Sequence, residues 1–584
     1  MVFGGKADDI DMFYLPLHAN TKKNKSMRTF PSIRTIGKVL VLVCFTLALG
    51  ARAQTATVAV FSLNDFHGGF LPDARKGIPG APAVWQTLDS LRAVYPNSVT
   101  VAAGDNFGGS YFYNATDGRL MPDFFSRIGV TVSALGNHEF DDGQQKLADK
   151  WSTYRPAGWN LTYVCANIAD ASGKIPAFAQ PCATQTVTLP GGQTVTVGFV
   201  GLLTSNTPNQ TSKSKLTGLT FNGNYADVVA ALKRTPQYQP VASADIRLLL
   251  THVGTAMQDG TPVWDDCDAA HIATLNDADF HGILTGHSHA PVCGRINSMG
   301  YPVVQGKWHG EYIGVIRFEI DLQTRKVISA QPEIVRVNPD IVLGTKQQAY
   351  LALLGEQLSS TQIEGHALSE NVTHCTRELV HDRNSNKLCQ TEMGYMVCEA
   401  YAEALRTTGH MPASTPVIGV SHFGSIRGGF PEGQIRILDV GEALPFANKL
   451  RVFRLTGAQI KNLVEFGLHN CTYGWMQTSS LEIDTTKTGH VKELAYINPD
   501  GTRTVLRKKS TYLVVADEFQ AGGGDGYSTD FFPRSQELFF TGMPTSTQAF
   551  IDYLMRRESI PAGAVPCIVP YKKMKIGRWG QRMF

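Results

Sequence analysis

Five short apolar runs in the first half of the chain are each followed by side chains that can bind a metal ion. The composition of these runs predicts buried strands. They cover residues 57–63, 98–103, 131–135, 246–251 and 282–284. The metal-capable residues that follow them are Asp65 and His67, Asp105, Asn137 and His138, His252, and His287 and His289. Because ligands gather outside the carboxyl ends of strands in an open α/β sheet, we expect these side chains to meet at one edge.

Carboxylate, amide and imidazole ligands without cysteine suit hard or borderline divalent ions such as Zn²⁺, Mn²⁺, Fe²⁺ or Mg²⁺. One such motif alone would more often be a structural polar pair than a metal site. Five motifs after apolar runs, several of them flanked by glycine, rarely arise together by chance. His271, His281 and His309 lack this setting, and we interpret them as structural histidines. The pattern predicts a centre for two divalent ions of undetermined identity.

The length of 584 residues is too great for one hydrophobic core. Apolar runs alternate with helix-like stretches such as 84–94, which is typical of a layered α/β domain. Further strands are predicted over 194–202 and 312–320, and a helix over 394–405. We predict an α/β-sandwich domain over 54–335, a linker over 336–363, a smaller α+β domain over 364–560 and a basic tail over 561–584. The linker contains an exposed helix over 346–358, whose apolar side is predicted to carry Ala349, Leu351, Leu353 and Leu354.

Residues 1–53 are predicted to be an upstream extension and a signal peptide. Basic residues precede the apolar run VLVLVCFTLALG, and Ala51-Arg52-Ala53 has the form of a cleavage site. We therefore expect export, to the periplasm or by secretion, without stable membrane insertion after cleavage. An uncleaved membrane anchor is the alternative, although the apolar run is short for a bilayer span. The net charge of +3 does not indicate a nucleic-acid polymer as a partner.

Nine of the ten cysteines lie beyond Ala53, and in an exported protein several of these are expected to form disulfides. The sequence does not determine their connectivity, and an odd number leaves at least one thiol free. Cys398, in the apolar helical run MGYMVCEAYAEAL, is the candidate for a buried free thiol. The pairs closest in sequence are Cys165–Cys182, Cys267–Cys293 and Cys375–Cys389.

The motifs D-x-H, G-D, G-N-H-E-F-D, T-H and G-H-S-H resemble those of the binuclear metallophosphoesterases, and among them the two-domain 5′-nucleotidase family. The resemblance covers almost all of residues 57–555. It implies a catalytic dyad of His138 and Asp141, with Asp105 bridging two ions. The implied ligands are Asp65, His67 and His289 for one ion, and Asn137, His252 and His287 for the other.

The second half resembles the family in HFGSIRGG (422–429), LPFANKL (444–450) and AGGGDGY (521–527). The first motif departs from the family pattern, because a histidine replaces its asparagine and Ser425 replaces a glycine. The arginine that the family places before the helix near residue 394 is also absent, and neither Arg377 nor Arg383 aligns with it. Rings in the other two motifs would enclose a nucleobase. The implied substrate-binding residues are His422, Gly424, Arg427, Phe446 and Tyr527.

The resemblance implies an exported phosphohydrolase that releases phosphate from nucleoside 5′-monophosphates by attack of a metal-activated water. The same site would also suit a 2′,3′-cyclic nucleotide phosphodiesterase, or a hydrolase of nucleotide sugars or of nucleoside di- and triphosphates. A thiosulfohydrolase and a non-catalytic nucleotide-binding protein are further alternatives. The oligomeric state is not indicated by the sequence.

Overall fold

The computed structural model describes residues 55–560, except 74–76, 109–110, 267, 364, 383–384, 413–414 and 499. The expected signal peptide, the basic tail, Cys267 and Arg383 lie outside the described residues. Among the helices of the described part, none has both the length and the hydropathy needed to cross a bilayer.

The first half is built on two six-stranded sheets, and the strands that precede the predicted metal ligands are divided between them. The first sheet contains three of these strands in parallel, so that Leu63 lies beside Ala102 at their carboxyl ends. Its order is Lys326–Arg336, Tyr312–Asp321, Thr55–Leu63, Ser98–Ala102, Val130–Ala134 and Thr162–Val164. The expectation of a single sheet edge is therefore wrong in detail.

The second sheet contains the other two strands, again in parallel, with Leu203 beside His252 and Leu250 beside Leu284. Its order is Pro291–Ile296, Tyr301–Gly306, Gly282–Leu284, Ile246–His252, Thr194–Leu203 and Cys182–Thr188. Alternate apolar side chains of both sheets, among them Val60, Val101, Val197 and Leu248, form one buried cluster. The two sheets pack through this cluster, and Asp105, which follows a strand of the first sheet, lies 3.0 Å from His252 at the end of a strand of the second, so these carboxyl ends lie at the same side of the sandwich.

The second half contains a five-stranded sheet, two three-stranded sheets and short hairpins among the described residues. The five-stranded sheet has the order Gln477–Thr478, Val417–Ser421, Thr511–Asp517, Leu450–Thr456 and Glu537–Leu538. The three-stranded sheets are Gly433–Arg436, Asn371–Cys375 and Ser559–Ile560, and Leu481–Thr485, Val491–Ile497 and Arg503–Val505. Two-stranded pairs elsewhere in the described residues are, in the first half, Thr255–Gln258 with Thr261–Trp264 and Ile168–Ala169 with Thr220–Phe221, and, after the linker helix, Gln362–Ile363 with His366–Ala367.

The helices follow the predicted alternation closely. The linker helix buries a face that differs from the predicted one. Ala349, predicted on the apolar side, is exposed, whereas Tyr350 and Leu354 are buried. The Tyr350 ring stacks on Phe124, 6.1 Å between centroids, and so attaches this helix to the first half. The described α-helices are Gly80–Val94, Tyr111–Ala115, Leu120–Ile128, Gln144–Tyr154, Thr207–Gln210, Tyr225–Leu232, Gln239–Ala242, Ala269–Ile272, Thr345–Ser360, Glu392–Thr407, Ile437–Ala443, Gly457–His469, Glu518–Ala521 and Ser546–Met555.

The described cysteines are free thiols, so the expected disulfides are not present among them; Cys165 and Cys182, Cys375 and Cys389, and Cys293 are all unbridged. Cys398 is free and fully buried in the helix Glu392–Thr407, as predicted. Burial raises the pKa of its thiol well above the ordinary range, so it is an unreactive core residue.

Candidate metal centre

The loops after the strands carry the predicted metal ligands in an unusual backbone conformation. The left-handed region is costly for residues with a side chain, and it is concentrated at functional sites in proteins. Space is also tight here, because a Cβ at Gly136 would lie 2.1 Å from Asp105 Oδ1. The predicted ligands with positive φ are Asp65 at 49°, His67 at 47°, Asp105 at 51°, His287 at 86° and His289 at 57°.

Three of the predicted residues, Asp65, His67 and His289, form one cluster of potential ligand atoms. His289 Nε2 lies 3.1 Å from His67 Nε2 and 3.3 Å from Asp65 Oδ1. The His67 and Asp65 side chains are almost completely buried, and His289 is one-quarter exposed. An ion bound there would have two imidazole donors and one carboxylate.

A second cluster contains Asp105, His252 and His287. Asp105 Oδ2 lies 3.0 Å from His252 Nε2 and 3.6 Å from His67 Nε2, so one carboxylate faces both clusters. Asn137, the remaining predicted ligand, is buried, and the next residue along the chain donates its backbone N–H to Asp105 Oδ1 at 2.9 Å. This arrangement suits a carboxylate shared between two ions.

The donor atoms fit the implied divalent ions. Asn137 Oδ1 and His252 Nε2 are both buried without a hydrogen-bond partner, which is costly for polar atoms. His252 Nδ1 lies 2.8 Å from the Ala103 carbonyl, an arrangement that leaves Nε2 as the ligand atom. A bound ion would satisfy both unpartnered atoms.

Burial and close charges set the ionisation of this cluster. Burial alone opposes charge on Asp105 and His252, but their mutual attraction outweighs it, lowering the pKa of Asp105 and raising the pKa of His252. Burial lowers the pKa of His67 well below its ordinary value, and the repulsion from neighbouring imidazoles adds to the effect. Burial, with repulsion from His252, lowers the pKa of His287 to about 4. Neutral imidazoles are the form that binds metal ions.

The predicted dyad is assembled beside the clusters. His138 Nδ1 lies 2.7 Å from Asp141 Oδ2, and the two residues belong to one short 3₁₀ turn and its end. Burial favours a neutral His138, but the Asp141 and Asp105 carboxylates outweigh it and raise the pKa. Because the carboxylate accepts from Nδ1–H, Nε2 of His138 is left to face a substrate.

Glu139 is a site residue that the sequence reasoning missed. Its buried carboxylate accepts backbone N–H groups from Gly136 at 2.6 Å, Asp105 at 3.0 Å and Asn106 at 2.8 Å. Burial raises the pKa of Glu139 to about 7, and the Asp105 charge acts in the same direction. This side chain holds the Asp105 loop against the Asn137 loop. Its position in the GNHEFD motif was the available signal.

Three further residues contact the predicted ligands and were also missed. Asp266 Oδ2 lies 3.5 Å from His287 Nε2, and Gln210 Nε2 lies 3.0 Å from the same nitrogen. The Trp308 ring stacks on the His289 ring with 4.9 Å between centroids. No spacing in the sequence connects these residues with the ligands that they contact.

His309, interpreted from the sequence as structural, lies at the edge of the centre. Its ring is 6.3 Å from that of His67, and its backbone N–H donates to the Asp65 carbonyl at 2.9 Å. It therefore helps to hold the Asp65 loop. His281 fits the structural interpretation, since its Nδ1 accepts the Arg247 backbone N–H at 3.0 Å.

Two of the predicted substrate-binding residues, Arg427 and Phe446, lie side by side. The guanidinium carbon of Arg427 is 5.8 Å from the centre of the half-buried Phe446 ring. The charge of Arg427 also disfavours protonation of His67 and His138, although other groups have larger effects on these residues. Arg427 therefore lies close enough to the metal centre to influence its charges, and Phe446 lies beside Arg427.

The other predicted substrate-binding residues are more deeply placed. His422 and Gly424 are buried, and His422 Nδ1 lies 2.6 Å from Asp525 Oδ2. Tyr527 is only 3% exposed, and its ring packs edge-on against Phe466. The structure therefore does not bring Tyr527 to the surface that faces the metals, and its stacking role stays a prediction. Phe519 is half-buried beside His422, with 5.0 Å between the rings, and was missed.

The expected replacement for the absent arginine is not evident in the described residues. Arg377 forms an ion pair with Glu392 at the start of the helix Glu392–Thr407. Cys389 and Tyr395, which lie near the positions of the arginine and the asparagine of the family, carry no positive charge.

The helix Tyr111–Ala115 connects the two halves next to the dyad. The Tyr111 ring rests on Gly441, where a Cβ would lie 1.7 Å from a ring carbon. The Asn114 amide donates to the Pro445 carbonyl, directly before Phe446. These contacts place the loop that carries Phe446 against the metal-bearing half.

Comparison with protein families gives two matches along the chain. Residues 59–291 match the family described as calcineurin-like phosphoesterase. Residues 369–531 match the family described as 5′-nucleotidase, C-terminal domain. The first match covers the strands and loops of the metal centre, and the second covers Arg427 and Phe446.

Similar proteins and structures agree with these matches. The chain is 24% identical over 519 residues to a 5′-nucleotidase of Vibrio vulnificus, with 82% of this chain and 87% of that protein covered. It is 22% identical over 539 residues to an apyrase of Anopheles gambiae, with 86% and 88% covered. The fold is similar to that of a 5′-nucleotidase precursor from Thermus thermophilus, with a TM-score of 0.65, 23% identity, and 87% and 98% of the two chains covered.

Proposed function

Because the chain belongs to the 5′-nucleotidase family of metallophosphoesterases and is a hydrolase, we propose that it releases phosphate from nucleoside 5′-monophosphates. We further propose that it works after export, on nucleotides outside the cytoplasm. Residues 54–335 would supply the metal-binding domain and residues 364–560 the substrate-binding domain.

The observation that carries the substrate proposal is the position of Arg427 beside Phe446, opposite the metal centre. A nucleotide has an anionic phosphate at one end and a flat aromatic base at the other. Arg427 can pair with a phosphate oxygen, and the exposed part of the Phe446 ring can stack on a base. A simple phosphate ester would use the metal centre but not the ring.

The residues of the centre have separable tasks in this proposal. When bound, two divalent ions would neutralise charge on the phosphoryl group and lower the pKa of a water molecule. Asp105 would be shared between the two ligand sets, which explains why its carboxylate faces both. His138, held by Asp141, would stabilise negative charge on the phosphoryl and leaving oxygens through Nε2.

A second candidate function is hydrolysis of nucleoside di- and triphosphates at the same site. The similarity to an apyrase over most of both chains favours this alternative. Cyclic nucleotides and nucleotide sugars would also place a phosphate at the metals and a base at Phe446. A non-catalytic binding protein fits less well, because all predicted metal ligands and the dyad are present. A thiosulfohydrolase would share the metal site, but the motifs LPFANKL (444–450) and AGGGDGY (521–527), which the family uses to hold a base, argue against it.

The test is phosphate release from a panel of substrates by the purified protein. The panel contains nucleoside 5′-mono-, di- and triphosphates, a 2′,3′-cyclic nucleotide, a nucleotide sugar and an aryl phosphate. Each is assayed after treatment with a chelator and again after the addition of Zn²⁺, Mn²⁺ or Mg²⁺. The proposal expects metal-dependent release with the highest kcat/KM for a nucleoside 5′-monophosphate. A higher kcat/KM for the aryl phosphate would contradict it.

A further inference from the structure

A third group of metal-capable side chains, distant in sequence from the catalytic motifs, lies on the surface of the second half. Glu465 and His469 are four residues apart on the helix Gly457–His469 and therefore share one face. His490 comes from the turn between the strands Leu481–Thr485 and Val491–Ile497. One potential ligand atom from each residue lies within 4.8 Å of the other two.

The backbone around this group holds two of its members in place. Glu465 Oε2 accepts the Val491 backbone N–H at 2.6 Å, while Oε1 points to His490 Nδ1 at 2.5 Å. The His490 backbone N–H in turn donates to Thr486 Oγ1 at 3.2 Å. The carboxylate and the hairpin are thereby fixed against each other, with Oε1 left as the ligand atom.

The third member, His469, lies beside the same carboxylate, with Nδ1 3.7 Å from Glu465 Oε1. His469 Nδ1 donates to the Glu465 backbone carbonyl at 2.7 Å, which fixes the tautomer and leaves Nε2 as an acceptor. Histidines that bind metals usually donate their other ring N–H in this way. The His469 and His490 rings lie 5.3 Å apart with 30° between their planes. A simple ion pair would explain Glu465 and His490 but not this second imidazole.

Nearby lysines do not take the place of a metal ion. Lys461, four residues before Glu465, directs its ammonium group to the Lys492 carbonyl at 3.4 Å. Lys492 itself pairs with Asp484 at 2.9 Å. The two imidazoles and the carboxylate are exposed enough for an ion to enter from solvent.

We propose that Glu465, His469 and His490 form a third divalent-metal site, which is separate from the binuclear centre and selects a Zn²⁺-type ion. Two imidazoles and one carboxylate are a common ligand set for zinc, with water completing the coordination. Bonds of ~2.0–2.2 Å require ligand atoms ~3.3–3.5 Å apart, so the Glu465–His490 contact opens by about 1 Å on binding.

An ion at this site would join the end of the helix to the hairpin. The next residue, Asn470, donates its side-chain N–H to the Asp525 carbonyl at 2.9 Å, within the AGGGDGY motif. The third site would therefore stiffen the support of a loop implied in base binding.

The test is the number of Zn²⁺ ions bound per chain after equilibrium dialysis of the full protein. The wild type is expected to hold one more Zn²⁺ than His469→Ala and His490→Ala. The result is the difference in the number of bound Zn²⁺ ions between the wild type and each variant. This difference does not depend on how fully the catalytic centre is occupied. His366→Ala is the matched control. His366 also contacts a glutamate, Glu370, at 3.1 Å, but this pair belongs to none of the groups of metal-capable side chains found among the described residues.

Two readouts separate loss of the site from loss of the fold. Zn²⁺ should raise the unfolding temperature of wild type and His366→Ala more than that of the two site variants, since ligands stabilise the state that they bind. Phosphate release from a small aryl phosphate, which has no base to place against that loop, should be equal for all four proteins once the catalytic centre is filled. Equal Zn²⁺ numbers in wild type and the site variants would overturn the proposal. A loss of one Zn²⁺ in His366→Ala as well would also overturn it.

Discussion

The guanidinium carbon of Arg427 lies 5.8 Å from the centre of the Phe446 ring, and Arg427 lies near the metal centre formed by the other half of the chain. The electrostatic influence of Arg427 on His67 and His138 follows from this placement. In the proposed reaction, binding energy from a base at Phe446 helps to position a phosphate at the metals. The predictions below separate the metal chemistry from this positioning.

Asp105→Asn should remove nearly all phosphate release from every substrate. The amide keeps the size of the side chain but loses the charge that faces both ligand clusters. We expect bound metal, measured by elemental analysis, to fall together with turnover. Asp149→Asn, an exposed position on the helix Gln144–Tyr154, is the control. Normal turnover of Asp105→Asn at limiting metal would contradict a shared carboxylate.

His138→Asn should lower kcat by ~100-fold or more while metal content stays unchanged. The residue bonds to Asp141 and is assigned to charge stabilisation, and loss of one such interaction typically has this effect. Turnover and metal content are measured on the same preparation. If an ion is lost along with activity, His138 is a ligand and the assignment is wrong.

Glu139→Gln should destabilise the protein by about 1–3 kcal/mol, because an amide NH₂ would meet backbone donors in place of an acceptor oxygen. Thermal unfolding in the absence of metal measures the change directly. Glu139→Gln should also bind metal more weakly, since the Asp105 loop loses its support. An unchanged unfolding temperature would show that the carboxylate does not hold the two loops together.

His281→Asn should weaken the dependence of stability on acid pH. Burial lowers the pKa of His281 to about 4, and the charge of Arg247 adds to this effect, whereas an unfolded histidine has a pKa of ~6.5. Between these values the unfolded chain binds the extra proton, so stability is complete above ~6.5 and falls as the pH drops towards 4. Denaturant unfolding at several pH values should give a steeper loss in wild type than in His281→Asn. Equal slopes would contradict the lowered pKa.

The strands that local patterns in the sequence predicted lie within two residues of their observed bounds. The strand Gly282–Leu284 has the predicted bounds, and the helix Glu392–Thr407 contains the predicted 394–405. Apolar runs and their helical alternation depend on residues close in sequence. The pairing of strands into sheets depends on residues distant in sequence, so the division of the five site strands between two sheets was not predicted.

The predicted metal ligands and dyad are brought together, because each follows a strand whose carboxyl end lies at the same side of the sandwich. Glu139, Asp266 and Trp308 were missed, since their partners come from loops distant in sequence. Burial of Tyr527 depends on packing against Phe466, which the glycine-rich motif does not reveal. The expected disulfides are absent among the described cysteines, because the number of cysteines in a chain does not place their sulfur atoms near one another.

The most direct test of a site divided between two halves is the kcat/KM of Phe446→Ala for two substrates. One substrate is a nucleoside 5′-monophosphate and the other is a small aryl phosphate, assayed with the same metal-loaded protein. Removing the ring should lower the nucleotide value by ~10-fold or more, because stacking on an aromatic side chain contributes ~1–3 kcal/mol per base. The aryl phosphate value should stay at the wild-type level. An equal fall for both substrates, or no fall for either, would contradict base binding by the second half.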